Sequence, residues 1–232
     1  MDLIETQLKD PIKHWYYRHK FSAIKTSISR DVQNAKVLVD VGAGSALFSH
    51  EILKSAHYLT CLAIDTGYTT PRLEDPQNRI TYLQSDYRVS GDIYLFTDVL
   101  EHVSNDVGLL KAYVDTAPSG ALFVITVPAF MSLWSGHDVF LKHVTRYRKE
   151  SLSDCVINAG LTIESMRYLY VPLFPLVWFI RKLNVSKKSK SQMRDHGKML
   201  NAAANFILKF DSFLARFNLF GMSIILSARK ID

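Results

Sequence analysis

Residues 36–49 read KVLVDVGAGSALFS: a β-branched and aliphatic run that closes on Asp40, a loop with Gly42 and Gly44, then apolar residues again. This order predicts a buried strand, a tight glycine turn and a helix. Glycines in such a turn let the backbone reverse and let a ligand approach without Cβ atoms in the way. A dinucleotide fingerprint would need a third glycine where Leu47 stands, and no GK[ST] follows as a phosphate-binding loop requires. A carboxylate beside the loop also repels a pyrophosphate and suits a cationic ligand. S-adenosylmethionine, which carries a sulfonium and an ammonium, fits that chemistry.

The same reading extends outward along the chain. Strands are expected at Lys36–Val41, Leu59–Asp65, Arg79–Gln84, Asp92–Thr97, Ala121–Val127, Leu161–Val171 and Met222–Arg229. The nearly continuous apolar runs of the first five are those of strands buried on both faces. Helices are expected at Ala46–Ser55, Asn105–Thr116 and Lys149–Ala159. Repeated strand-then-helix units imply an α/β, doubly wound, Rossmann-like, seven-stranded and mostly parallel sheet. The last strand is expected to be antiparallel. A helical insertion, 172–221, separates the last two strands and contains an apolar Pro172–Leu183, a basic linker and an amphipathic helix at Met199–Phe217. The expected division is an N-terminal helical cap, 1–35, and one domain, 36–232.

Three acids fall at successive strand ends: Asp40, Asp65, placed to accept the two ribose hydroxyls, and Asp86, placed to accept from the adenine amino group. Open α/β sheets bind ligands at that carboxyl edge.

With these residues in view, the chain resembles a class I S-adenosylmethionine-dependent methyltransferase. VLVDVGAGSALFS stands for the first motif, CLAID for the second, and Asp98–Val103 (DVLEHV) for the run after the fourth strand. It is similar more specifically to the bacterial type 11/12 group associated with polysaccharide or lipid synthesis, through His14–Arg18 (HWYYR), Val127–Ala129, Leu133–Ser135, His137-Asp138 and His143 followed by Arg146-Tyr147. Thr145 replaces one arginine of that group's final motif, which loosens any inference about the acceptor.

The resemblance implies methyl transfer, most simply to oxygen, with a small-molecule or lipid- or sugar-linked acceptor. Asp98, Asp40, Gly42, Gly44, Asp65 and Asp86 are the expected donor-binding residues, and Arg18 is placed to clamp a methionine carboxylate. His137, His143, His102 and Tyr147 are candidates to move a proton. Trp134, Asp138 and Arg146 are candidates to bind the acceptor. Asp98, Glu101 and His102 have the donor types of a cation site, but no metal is expected. The competing class is a non-catalytic protein that binds S-adenosylmethionine for regulation or assembly.

Composition narrows the partners. Among 232 residues, 48% are apolar and 22% charged, which excludes a disordered or fibrous chain. Residues 1–170 carry 17 Lys/Arg against 19 Asp/Glu, whereas residues 171–232 carry 11 against 3, so the basic character belongs to the insertion and its surroundings. No zinc-finger or RNP-like signature accompanies it, and no nucleic-acid partner is expected. Apolar bulk beside six cations between Arg181 and Arg194 matches either a pocket lid or a peripheral membrane contact. With two cysteines, no secretory leader and no long apolar run, a cytoplasmic protein, membrane-peripheral at most, is expected.

Overall fold

A computed structural model describes residues 10–84, 89–183, 197–217 and 219–231. In chain order the elements are α1 (Trp15–Ile28), β1 (Val37–Val41), α2 (Leu47–Leu53), β2 (Thr60–Ile64), β3 (Arg72–Asp75), β4 (Ile80–Leu83), β5 (Ile93–Thr97), α3 (Asp106–Val114) and β6 (Leu122–Pro128). There follow α4 (Gly136–Phe140), α5 (Lys149–Asn158), β7 (Thr162–Leu169), α6 (Phe174–Leu183), α7 (Gly197–Ile207), α8 (Asp211–Leu214) and β8 (Ser223–Arg229).

The strands form one sheet in the order β3-β4-β2-β1-β5-β6-β8-β7. Strands β4, β2, β1, β5 and β6 pair in parallel, with Val39 opposite Leu62 on one side and Tyr94 on the other. The final strand β8 runs antiparallel between β6 and β7, as expected. The sheet has eight strands rather than seven: β3 pairs antiparallel with β4 at the edge. Apart from Leu73 its residues are charged, and most are exposed, so it lacks the apolar run by which the others are read. The opposite edge, β7, exposes Thr162, Glu164 and Ser165.

Alternation along each strand sends side chains to two cores. From β5, Tyr94 and Phe96 join Phe123, Ile125, Tyr113 of α3 and Leu152 of α5. Ile93 and Leu95 join Leu38, Ala63 and Val124 under Tyr17, Ile24 and Ile28 of α1 and Phe48 and Ile52 of α2. Helices thus cover both faces, which is why the central strands are apolar throughout.

The insertion is helical, but Met199–Phe217 is not one helix. α7 stops at Ile207, a 3-10 turn spans Leu208–Phe210, and α8 begins at Asp211. Asp211 is fully buried, with Oδ1 accepting from the Val171 N–H at 2.6 Å and Oδ2 meeting His19 Nε2 at 2.6 Å. Those two bonds tie the insertion to the end of β7 and to α1.

Candidate active site

A cavity of 770 Å³ opens at the carboxyl ends of the parallel strands, where Val41, Asp65, Thr97 and Pro128 line it. Of the glycine loop, Gly42 lines one wall, while Gly44 is buried behind it and does not line the cavity, contrary to direct contact with a donor. Gly42 (φ 64°), Gly44 (φ 53°) and Ala46 (φ 51°) are all left-handed, and a Cβ on Gly42 would sit 2.6 Å from Cγ2 of Val99. The loop therefore turns only with glycine at that position.

Asp65 braces this wall. Its Oδ2 accepts from the Gly44 N–H at 2.8 Å and its Oδ1 from the Gly67 N–H at 2.7 Å. An ionised carboxylate has about four lone-pair sites, so both oxygens keep capacity for ligand hydroxyls. Asp40 lies lower. It is buried beneath the loop, accepts from Ser49 Oγ at 2.6 Å, and does not line the cavity, contrary to direct contact with a cationic ligand. Burial pushes its carboxyl up to about 6 against the opposing Ser49 bond. Asp86 lies outside the described residues.

The N-terminal helix supplies a second wall through Trp15, Tyr16 and Tyr17. Arg18 is exposed and does not line the cavity, because Tyr17, Lys20 and Ile24 take the inward face at helical spacing. Lys20 went unnoticed in the sequence, and it is fully buried, donating to Tyr16 Oη at 2.8 Å and pairing with Asp98. Burial opposes its charge, but the Asp98 carboxylate and Tyr16 hydroxyl more than offset this and raise the lysine above its ordinary value. Asp98 lines the cavity in a left-handed conformation (φ 56°) and accepts from Thr126 Oγ1 at 3.0 Å. Burial alone would raise its carboxyl; Lys20 holds it low instead.

The third wall joins the segment after β5 to the one after β6. Glu101, His102, His137, His143 and Arg146 all line it. Asp138 organises this wall from behind: fully buried, its Oδ1 meets His143 Nδ1 at 3.0 Å and accepts from Arg146 Nε at 2.6 Å, and its Oδ2 accepts from the Ser135 N–H at 2.8 Å. Burial works against its charge, but His143 and Arg146 hold the carboxyl well below the usual range. Asp138 thus supports His143 and Arg146, which line the cavity, and is not itself a lining residue. The His102 and His143 rings meet edge-on at 4.7 Å between centroids. Burial pushes His137 down to about 4. Glu101 is fully buried, neither of its carboxylate oxygens receives a hydrogen bond from another described residue, and burial with the nearby Asp98 charge raises it well above the usual range.

Two candidates fall away from the cavity. Tyr147 is buried in the core, with its hydroxyl donating to Asp106 Oδ2 at 2.7 Å, and burial followed by Asp106 raises its phenol. Trp134 does not line the cavity either. The insertion contributes Val177 and Arg181 instead, the latter donating to the Leu133 carbonyl. Lysine on the inward face of HWYYRHK was the available sign of Lys20; nothing in the sequence brought Arg181 next to Leu133.

No protein-family model and no curated protein matches the chain. Solved structures do. The [4+2]-cyclase SpnF superposes with a TM-score of 0.57 at 13% identity, over 91% of this chain and 80% of its own. A SAM-dependent methyltransferase from Archaeoglobus fulgidus gives 0.52 at 15% identity over 90% and 94%. The O-methyltransferase NcsB1 from neocarzinostatin biosynthesis, solved with S-adenosyl-L-homocysteine and 1,4-dihydroxy-2-naphthoic acid, gives 0.52 at 12% identity over 93% and 55%. Strand order, the antiparallel last strand and the cavity at the carboxyl edge agree with these likenesses: the chain has the Rossmann-like fold of the class I methyltransferases.

Proposed function

We propose that the chain is an S-adenosylmethionine-dependent methyltransferase of the type 11/12 group that methylates an acceptor oxygen. The observation that carries this reading is the two-ended cavity: the left-handed glycine loop and Asp65 on one wall, a histidine-rich wall on the other. A left-handed glycine turn whose backbone lines the cavity fits a ligand approaching that backbone closely. Gly42 and Asp65 hold the donor there, with Gly44 behind them fixing Asp65 through its N–H, and the donor supplies an electrophilic methyl group on sulfur.

Alignment of the acceptor oxygen with that methyl can carry most of the catalysis. The oxygen lone pair forms the new O–C bond as the C–S bond breaks, with its electrons returning to sulfur. The hydroxyl proton leaves toward the histidine wall, where His102, His137 and His143 line the cavity and a neutral imidazole nitrogen accepts it. SpnF carries the same fold as a cyclase, so the donor loop and not the fold is what favours methyl transfer. Titrating the chain with S-adenosylhomocysteine in a calorimeter, then supplying methyl-tritiated donor with phenols and polyprenyl-linked sugars, tests the reading. Binding with transfer supports it; binding without transfer to any acceptor favours the non-catalytic alternative, and no binding removes both.

A lipid-linked acceptor is favoured by the insertion. Val177 and Arg181 of α6 face the cavity, while Leu176, Phe179, Ile180 and Leu183 on the same helix are exposed. Phe206, Phe210, Phe213 and Phe217 continue an exposed stripe at helical spacing, opposite buried Ala204, Leu208, Asp211 and Ala215. Apolar stripes on a strongly basic segment are the composition of an element lying in an anionic interface. Among the described residues no helix is long and apolar enough to cross a membrane. Sedimentation with phosphatidylglycerol vesicles should retain the chain at low salt; loss of all binding at low salt would leave α6 as a lid over a water-soluble acceptor.

A further inference from the structure

We propose that Glu101, His102 and His143 form a binding site for a divalent transition-metal cation, Zn²⁺ by donor type, whose open side faces the acceptor. The donor atoms of these three side chains all lie within 4.8 Å of one another. Zinc-bound nitrogen and oxygen ligands lie about 2.0–2.2 Å from the metal, hence roughly 3.4 Å apart, so a shift of about an ångström closes the set.

Two features separate this cluster from an incidental group of polar residues. The first is Glu101. A fully buried carboxylate whose oxygens take no hydrogen bond from another described residue is an unfavourable arrangement, and it lines the cavity on which both histidines converge. A cation at that point supplies the missing partner. The second is the support behind His143. Its Nδ1 is engaged by Asp138, which is itself fixed by Arg146 and Ser135, leaving Nε2 as the ring's donor toward the cavity. A carboxylate behind a histidine is how proteins orient a metal-binding imidazole.

Two histidines and one glutamate leave coordination positions open, as catalytic zinc sites do. The position relative to the donor is fixed by Val99, two residues before Glu101, which packs onto Gly42. A cation there would act as a Lewis acid on the acceptor hydroxyl, making it a better nucleophile. That role rests on the methyltransferase reading; the metal site itself does not.

The test is calorimetric titration of the chelator-treated full chain with Zn²⁺, with Co²⁺ titrated in parallel and followed by its visible d–d absorption. One equivalent should bind, with Co²⁺ bands of a four- or five-coordinate nitrogen and oxygen site. Glu101→Gln and His143→Gln should each weaken Zn²⁺ more than about a hundredfold. Glu101→Gln is near-isosteric and so should keep the fold, as read by circular dichroism, and Zn²⁺ should raise the melting temperature of the parent but not of this variant. Absence of a one-equivalent site in the folded parent, or equal Zn²⁺ affinity in parent and both variants, overturns the proposal. S-adenosylhomocysteine is titrated on the same sample: donor binding without Zn²⁺ binding removes the metal site alone, and Zn²⁺ binding without donor binding upholds the site while removing the methyltransferase reading.

Discussion

Lys20 on α1 and Asp98 at the end of β5, 78 positions apart in the chain, form an ion pair beneath the cavity. The pair is lopsided: the lysine side chain is fully buried, whereas 31% of the aspartate side chain is accessible from the cavity. Removing one partner strands the other, and the stranded group's access to water decides the penalty. Asp98→Asn leaves a buried ammonium and should cost about 3–5 kcal/mol. Lys20→Met leaves a carboxylate that cavity water can reach and should cost less than half of that. Urea unfolding of both variants checks the order, with exposed Arg18→Ala as a control expected to lie within about 0.5 kcal/mol of the parent.

Gly42→Ala should weaken S-adenosylhomocysteine more than about thirtyfold, because the new Cβ meets Val99 and the left-handed conformation is strained. Adding Val99→Ala removes the contact but not the strain. Calorimetry on the double variant should therefore show partial recovery, and full recovery would mean that backbone conformation is irrelevant at this turn.

Asp65→Ala should cost about 2 kcal/mol or more of donor affinity, roughly thirtyfold, by withdrawing a charged acceptor from the ligand hydroxyls. Of the two N–H groups that it frees, Gly67 is exposed but Gly44 is buried, so stability should also fall by about 1–3 kcal/mol. Affinity within twofold of the parent would remove Asp65 from the donor site.

Tyr147→Phe should lower stability by about 1–2 kcal/mol, since the Asp106 carboxylate loses its donor, while turnover stays within about threefold of the parent. A hundredfold fall in turnover at full stability would instead place the hydroxyl in the chemistry.

The strands and the glycine loop were legible because their signals are local: an apolar run, an acid, two glycines. So were the histidines of the third wall, as residue types gathered in one segment. What the sequence hid is direction. Arg18 and Lys20 are two residues apart on one helix, and only packing against Asp98 shows that the lysine turns inward and the arginine out. Tyr147 looked reactive beside Arg146, but β6 continues into a bridge between Ala129 and Tyr147 that directs the ring into the core. The edge strand β3 is illegible because a single exposed leucine, Leu73, among charged residues does not mark a strand that buries almost nothing.

Asp40 should make stability depend on pH in a recognisable way. Its folded-state pKa, about 6, lies above the ordinary aspartate value of 3.8, so between those values the folded state holds a proton that the unfolded state lacks. The contribution therefore grows as pH falls from about 7 toward 4. Asp40→Asn removes it, and the stability difference between parent and variant should move in the parent's favour by on the order of 2 kcal/mol across that window in urea titrations. A flat difference would mean that Asp40 titrates normally.

The two margins of the sheet bear on how the chain behaves at high concentration. β3 presents Arg72 and Glu74, paired with each other at 2.7 Å, and β7 presents Glu164, held by Arg229 at 2.6 Å. A foreign strand adding to either margin would have to cover these ions, so fibrillar growth by strand addition is blocked on both sides. The aromatic stripe on the insertion is a separate exposed surface, one that detergent or lipid can shield without touching the sheet.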